Sequence, residues 1–416
     1  MNLKSLSALG AGLLLAACSQ APRTDSLTQY VDMRIGTGGH GHVFMGANVP
    51  FVAVQLGPTS IPQSWDWTSG YHASDSTVIG FSHTHLSGTG IGDLFDITVM
   101  PVTGEVTYAR GEEKDPQSGL WSYADRTKEV ARPGYYSVPL TRYGVTAELT
   151  ATERVGFHKY TFPASTEAAV VFDLENGGCW DKATQTHLEK ESDNRITGYR
   201  YSTGWAKDQR VYFVAEFSKP FAKFETVGDK YARASFATTD GEQVLVKVAL
   251  SPVSIEGAKA NLVAELPGWD FDATVKAADA KWNTELSKVK VTTTDETARR
   301  IFYTALYHTM VAPSVFCDVN GDYYGSDHEI HRAPGFTNYT TFSLWDTYRA
   351  AMPLMTILHP EKMPDIIRTM LAIADEQGRL PVWHLWGNET DCMVGNPGIP
   401  VVADAIVKGI GGFDRE

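Results

Sequence analysis

The sequence predicts an antiparallel β-sandwich followed by a helical region, within one chain of 416 residues. Three observations carry this. Between about residues 30 and 265 apolar and polar residues alternate in short runs separated by Gly, Pro and Asp clusters, the pattern of half-buried strands. From about residue 270 the apolar period becomes three to four, that of one helix face. The 37 glycines and 20 prolines exclude a chain built of helix alone.

The first 18 residues read as an address label. Lys4 precedes an apolar run, 6–17, that closes Leu15-Ala16-Ala17-Cys18. A charged start, a short apolar core and small residues before a cleavage point make a secretory signal. The run is shorter than the roughly 20 apolar residues a spanning helix takes. The Leu-Ala-Ala-Cys ending resembles a bacterial lipobox. It implies a lipidated Cys18, and a protein anchored by that lipid to a membrane of the bacterial cell envelope, in the periplasm or at the outer membrane. Ordinary cleavage leaving a free cysteine is the alternative. Residues 19–26 are polar and read as a tether.

Residues 27–265 form the sandwich. The run 143–150 puts Val145, Ala147 and Leu149 on one face. The run 210–217 does the same with Val211, Phe213, Ala215 and Phe217, and 243–250 with Val244, Val246 and Val248. Runs 155–162 and 168–174 are further strands. Residues 266–292 are helical, with Val275, Ala278, Trp282, Leu286 and Val289 on one face. In 293–416, Thr293 and Glu296 have capping-box spacing and open a helix carrying Ile301, Ala305 and His308. Helices follow over 343–358, over 363–376 with Ile366, Ile367, Met370 and Ile373, and over 400–410, ended by Gly411 and Gly412.

The net charge of −13 argues against nucleic acid as a partner, since that needs a basic face. With 43% hydrophobic and 20% charged residues, the chain is not mostly disordered. Beyond Cys18 the cysteines are Cys179, Cys317 and Cys392, with no CxxC. That supports neither a disulfide framework nor a zinc–thiolate site. One disulfide remains open, and packing is the default role.

Four stretches carry the chemistry. Residues 35–47 hold five glycines with His40 and His42, a loop suited to close approach to a ligand. Residues 65–72 and 80–90 hold Trp65, Trp67, His72, His83 and His85. Two His-x-His pairs on strands could present both rings to one metal. No acidic or cysteine ligand is patterned beside them, so hydroxyl-binding histidines with a tryptophan plate are more economical. Residues 336–349 contain Asp346 and Arg349, which share a helix face and could clamp vicinal hydroxyls. The bland alternative is a local ion pair worth about 0.3 kcal/mol. Residues 380–391 place Glu389 and Asp391 beside Trp383 and Trp386, again a sugar-binding composition.

At these stretches the chain resembles glycoside hydrolase family 92, bacterial exo-acting α-mannosidases. The motifs I-G-T-G-G-x-G-H, W-x-W-x-S-G-Y, G-F-S-H-T-H-L-S-G-T-G, F-x-x-W-D-T-Y-R and G-N-E-T-D-x-M-x-G occur in order between residues 35 and 395. The resemblance implies a sandwich, a helical linker over 266–292 and the start of an (α/α)6 barrel over 293–416, here incomplete. It implies that Asp346 and Arg349 grip the mannose being removed and that the Trp65–Trp67 stretch shapes the site for the next sugar. His83, His85 and Glu389 lie in matching motifs and are expected to touch substrate. It further implies calcium-dependent inversion, releasing mannose from N-glycans or mannans. An acid and a base would stand about 6.5–9.5 Å apart to admit a water, and calcium would hold sugar oxygens.

The family's acid lies in E-G-N-x-W-Q-Y and its base in N-D-D-x-G-x-M-S-A-W, and neither stretch occurs in these 416 residues. The expectation is a portion of such an enzyme, its acid, base and most calcium ligands beyond residue 416, inactive alone, with apolar faces such as that of Ile366, Ile367, Met370 and Ile373 exposed. A non-catalytic glycan-binding envelope lipoprotein and a different N-glycan-releasing hydrolase are the alternatives.

Overall fold

A computed structural model describes residues 26–112, 114–115 and 118–415. The signal, Cys18 and most of the tether therefore lie outside the described residues. Among those described, no helix is long and apolar enough to cross a membrane.

The β-rich half is built on two large antiparallel sheets. One has six strands, in the order Gly57–Thr59, Gly80–Ser82, Thr98–Thr103, Ser165–Asp173, Tyr231–Thr238 and Lys223–Val227. The other has eight, in the order Lys182–Ser192, Arg195–Thr203, Gln209–Phe217, Glu242–Ser251, Val155–Phe162, Val145–Ala151, Tyr135–Leu140 and Val130–Arg132. The alternation read from sequence decides which side chains enter the core. Val145, Ala147, Leu149, Val211, Phe213, Ala215, Phe217, Val244, Val246 and Val248 are all buried. Both sheets feed one hydrophobic cluster, and Phe172 of the first stacks on Phe213 of the second at 5.8 Å.

The last strand of these two sheets ends at Ser251, and α1 (Ile255–Glu265) follows directly. The expected boundary at 265 is thus about 14 residues late. The N-cap Ser254 accepts a hydrogen bond from the Gly257 amide, satisfying one of the free amides of a first turn. Ala258 and Leu262 of α1 join Phe271 and Val275 of α2 (Phe271–Leu286) in covering the outer face of the eight-stranded sheet, on Val155, Phe157, Val214 and Ala249. Those strands are apolar on both faces because both are covered.

Asp295, not Thr293, caps α3 (Glu296–His308), accepting from the Ala298 amide, while Thr293 accepts from the Asp295 amide. The helix expected over 343–358 is two helices, α4 (Leu344–Thr347) and α5 (Ala351–Leu358). Pro353 is the reason. Proline fits only a first turn, where its missing N–H is no loss and no preceding turn meets its ring. The helix must therefore restart at Ala351. Next, α6 (Met363–Gln377) closes on Gly378 in the left-handed region (φ 82°), and α7 is Gly398–Val407. Ile366, Ile367, Met370 and Ile373 are not exposed as expected. They are buried in the main core, with the Tyr339 amide donating to Thr369 of the same helix. The apolar side chains that do face solvent include Ile301, Ile357, Val394, Ile399 and Val407.

Candidate active site

The glycine loop folds on itself rather than opening toward a ligand. A Cβ at Gly41 would collide with the carbonyl oxygen of Gly36, and Gly36 itself has φ 87°. This leaves His40 exposed, 2.5 Å from Asp66, and His42 buried with Nδ1 2.5 Å from the Thr68 hydroxyl. The Nε2 of His42 has no hydrogen-bond partner, and burial lowers its pKa. Trp65 lies over this pair, 4.2 Å from the His42 ring, half-exposed, its Nε1 donating to the Gly90 carbonyl. Trp67 donates to Asp75 and stacks on His72 at 4.4 Å. Neither tryptophan is a core residue.

His83 and His85 do not face a ligand, contrary to expectation. Both are buried. His83 has Nδ1 2.6 Å from the Ile97 carbonyl and Nε2 2.9 Å from His158 Nε2. His85 has Nδ1 2.7 Å from the Gln55 carbonyl. Each ring is occupied by the protein, and the two do not share a metal-binding focus.

On the helical side, backbone pairing joins the third and fourth motifs. Phe342–Ser343 pairs with Trp383–Leu385, which pairs with Asn388–Glu389. Asp346 and Arg349 follow at once and are exposed. Asp346 accepts from the Ser343 hydroxyl at 2.6 Å. Arg349 lies past the end of α4, donates to the Trp345 carbonyl and sits over the Trp345 ring, 5.0 Å from its centroid. The two are not paired with each other, so each keeps hydrogen-bonding capacity. Glu389 was expected to touch substrate. Its carboxylate instead accepts from the amides of Val382, Trp383 and Asp391 at 2.8–3.0 Å. Three backbone bonds make it the clamp of its own loop. Asp391 pairs with Arg379.

Residues 204–208 connect the two sides. Asp93 accepts from the Ala206 amide, and Trp205 packs edge-on against Trp383 at 4.6 Å. The Asn388 side chain meets both backbone groups of Asp208, accepting from its N–H and donating to its C=O, each at 2.9 Å. The Asp208 carboxylate accepts from the Tyr324 hydroxyl. Beneath lies a buried charge network. Arg200 donates to Asp96, Asp181 and the Leu174 carbonyl. Asp96 also accepts from Gln209 and Thr84. None of Trp205, Asp93, Asp208 and Arg200 stood out in the sequence.

For calcium the test is the donor set. Among the described residues, one group of three acidic or histidine side chains converges: Glu285, His359 and Glu361. The Lys288 ammonium lies 2.9 Å from each carboxylate and 3.0 Å from His359 Nδ1. A hard cation needs six to eight oxygens, and this cluster offers two carboxylates, both already paired with the Lys288 ammonium, and an imidazole nitrogen. The described residues around Asp346 bring no such group of acidic and histidine side chains together.

The arrangement is one of aromatic plates, an exposed carboxylate and guanidinium, and tight loops. Comparison with known proteins identifies its kind. The N-terminal domain of glycosyl hydrolase family 92 matches residues 30–251, and the family's catalytic domain matches residues 257–416. The chain belongs to glycosyl hydrolase family 92. A family GH92 alpha-mannosidase from Bacteroides thetaiotaomicron, solved with mannoimidazole, is 39% identical with a TM-score of 0.90, over 94% of this chain and 54% of that one. A family 92 inverting mannosidase from the same organism is 27% identical with a TM-score of 0.83, over 95% and 54%. An uncharacterized secreted glycosidase of Arthroderma benhamiae is 23% identical over 97% of this chain and 52% of its own length. The chain thus spans about half the length of these relatives.

Proposed function

We infer that this chain is the mannoside-recognising portion of an α-mannosidase-type glycoside hydrolase. One observation carries the reading. Strand pairing of Ser343 with Trp383 brings the W-D-T-Y-R and W-G-N-E-T-D stretches together and leaves Asp346 and Arg349 exposed beside the Trp345 ring. An acceptor and a cation with free capacity suit vicinal sugar hydroxyls, and an indole suits the C–H face of the ring. The 39% identity to a mannosidase across nearly the whole chain supports the same reading. We read the two sheets as a β-sandwich and the helices after 293 as part of an (α/α)6 barrel.

The proposed reaction is hydrolysis with inversion, releasing mannose from N-glycans or mannans. Among the described residues, the carboxylates of the third and fourth motifs are not assigned as acid or base. Glu389 is saturated by amides, Asp391 is paired with Arg379, and Asp346 is read as a binding residue. The protein is proposed to sit in the bacterial envelope on a lipid at Cys18.

The test is calorimetric titration with mannoimidazole. Asp346→Ala and Arg349→Ala should each weaken binding about tenfold to hundredfold, the value of a charge-assisted hydrogen bond of about 1.5–3 kcal/mol. Unchanged affinity in both would remove the reading.

A further inference from the structure

A second aromatic plate stands next to Trp65 and is left unused by the mannose-gripping residues. Trp180 is 47% exposed, against 49% for Trp65. Of the ten tryptophans only these two are exposed, and Trp180 is held on an immobilised backbone. The Trp180 amide donates to the Gly92 carbonyl at 2.9 Å, and the Gly178 amide to the Leu94 carbonyl at 3.0 Å. The next residue, Asp181, is buried and paired with the buried Arg200 guanidinium, which also holds the Leu174 carbonyl at the loop's start. Cβ atoms at Gly177 and Gly178 would collide with that network and with the Gly92 carbonyl. The loop 174–181 is thus pinned at both ends and in its middle while its indole faces out.

The same stretch of chain seats both indoles. A Cβ at Gly90 would overlap the Trp65 ring, and one at Gly92 would lie 3.0 Å from the Trp180 ring. Two residues of chain span at most about 7 Å. The plates therefore flank one strip of backbone, within reach of a single short oligosaccharide. The rim is polar. His40 and Asp66 lie beside Trp65, while Arg110 bonds Asn176 and reaches the Gly177 carbonyl beside Trp180. Flat, pre-positioned aromatic faces with hydrogen-bonding groups at their edges suit pyranose rings, and immobilising them beforehand removes an ordering cost from binding.

We propose that Trp180 is a sugar-stacking residue for a glycan unit beyond the one beside Trp65, giving the protein preference for longer mannosides. This rests on the mannoside reading above. The test is calorimetric titration of the chain with methyl α-mannoside, α-1,2-linked mannobiose and α-1,2-linked mannotriose. Trp180→Ala should weaken mannotriose roughly fivefold to thirtyfold, the loss of one aromatic anchor, and leave methyl α-mannoside unchanged. Trp180→Phe should restore most of the loss, and both variants should melt with the wild type. If Trp180→Ala binds mannotriose like the wild type while Asp346→Ala loses methyl α-mannoside, the Trp180 proposal falls and the mannoside reading stands. An equal loss for all three sugars in Trp180→Ala also overturns it, since the residue then acts through the fold. If the wild type binds none of the three, both fall together.

Discussion

Acidification is expected to destabilise this protein through buried histidines, well before ordinary carboxylates titrate. Burial holds His83 down to about 3, His85 to about 4 and His384 to about 3, and lowers His158 well below its usual value. A folded pKa below the unfolded one means the unfolded chain takes up the proton first. Stability is therefore fully present above about pH 6.5 and is lost as pH falls toward the folded values. Each ring costs about 1.4 kcal/mol per pH unit in that window. Between pH 6.5 and 5 that is roughly 2 kcal/mol per ring and roughly 6 kcal/mol for His83, His85 and His384 together, with His158 acting in the same direction. Asp181 and Asp318, pushed up to about 6 by burial, act with the opposite sign. They return roughly 3 kcal/mol together at pH 5. The lowered His42 and His308 add to the loss, and the raised Asp93, Asp173 and Glu376 subtract from it. His83, His85 and His384 set against Asp181 and Asp318 leave a net loss of roughly 3 kcal/mol, a large part of the about 5–15 kcal/mol that holds a typical domain. Urea unfolding between pH 7.5 and 5 measures it directly. His384→Gln removes one titrating ring and should flatten the slope by about 1.4 kcal/mol per pH unit. Stability that is constant or rising from pH 6.5 to 5 would refute the argument.

Other outcomes follow from single contacts. Arg200→Met leaves Asp96 and Asp181 buried without their cation, and should cost about 3–5 kcal/mol in denaturant unfolding; a loss under 1 kcal/mol would mean water reaches the site. Cys18→Ser should move the protein from the membrane to the soluble envelope fraction, and fatty-acid labelling of the wild type should be lost with it. The 416-residue chain should bind α-1,2-mannobiose yet release no mannose with calcium added, since the two carboxylate stretches implied by the family are not among its residues; turnover at an ordinary glycosidase rate would place an acid and a base within it, with Glu389 and Asp391 the first to mutate.

Period was the most legible property of the sequence. Alternation at Val211, Phe213, Ala215 and Phe217 is a local fact, and it survives into the fold because one face of the strand meets the core. Ends were less legible. A cap is decided by which side chain reaches an amide, and Thr293 and Asp295 both could; Asp295 does, and Thr293 supports it. Helix α1 escaped notice because it covers the second face of a sheet. Its apolar residues need to match Val214 and Ala249, far off in sequence, rather than form a strong stripe of their own.

At the site, composition and spacing identified which stretches matter but not which atoms are free. His83, His85 and Glu389 are polar residues in functional-looking motifs, yet strand packing and loop closure engage them before any ligand can. That follows from a general constraint. A buried or tightly turned segment must satisfy its own polar groups first, so glycine-rich motifs spend many of their polar residues on holding the turn. What remains for a ligand is what is both exposed and short of partners, as Asp346, Arg349 and the faces of Trp65 and Trp180 are here. Trp180 shows the converse. It stands alone in G-G-C-W-D, with no periodic neighbour to mark it. Its loop is fixed by Arg200, whose partner Asp96 is 104 residues away, so only the folded topology distinguishes this tryptophan from one that packs.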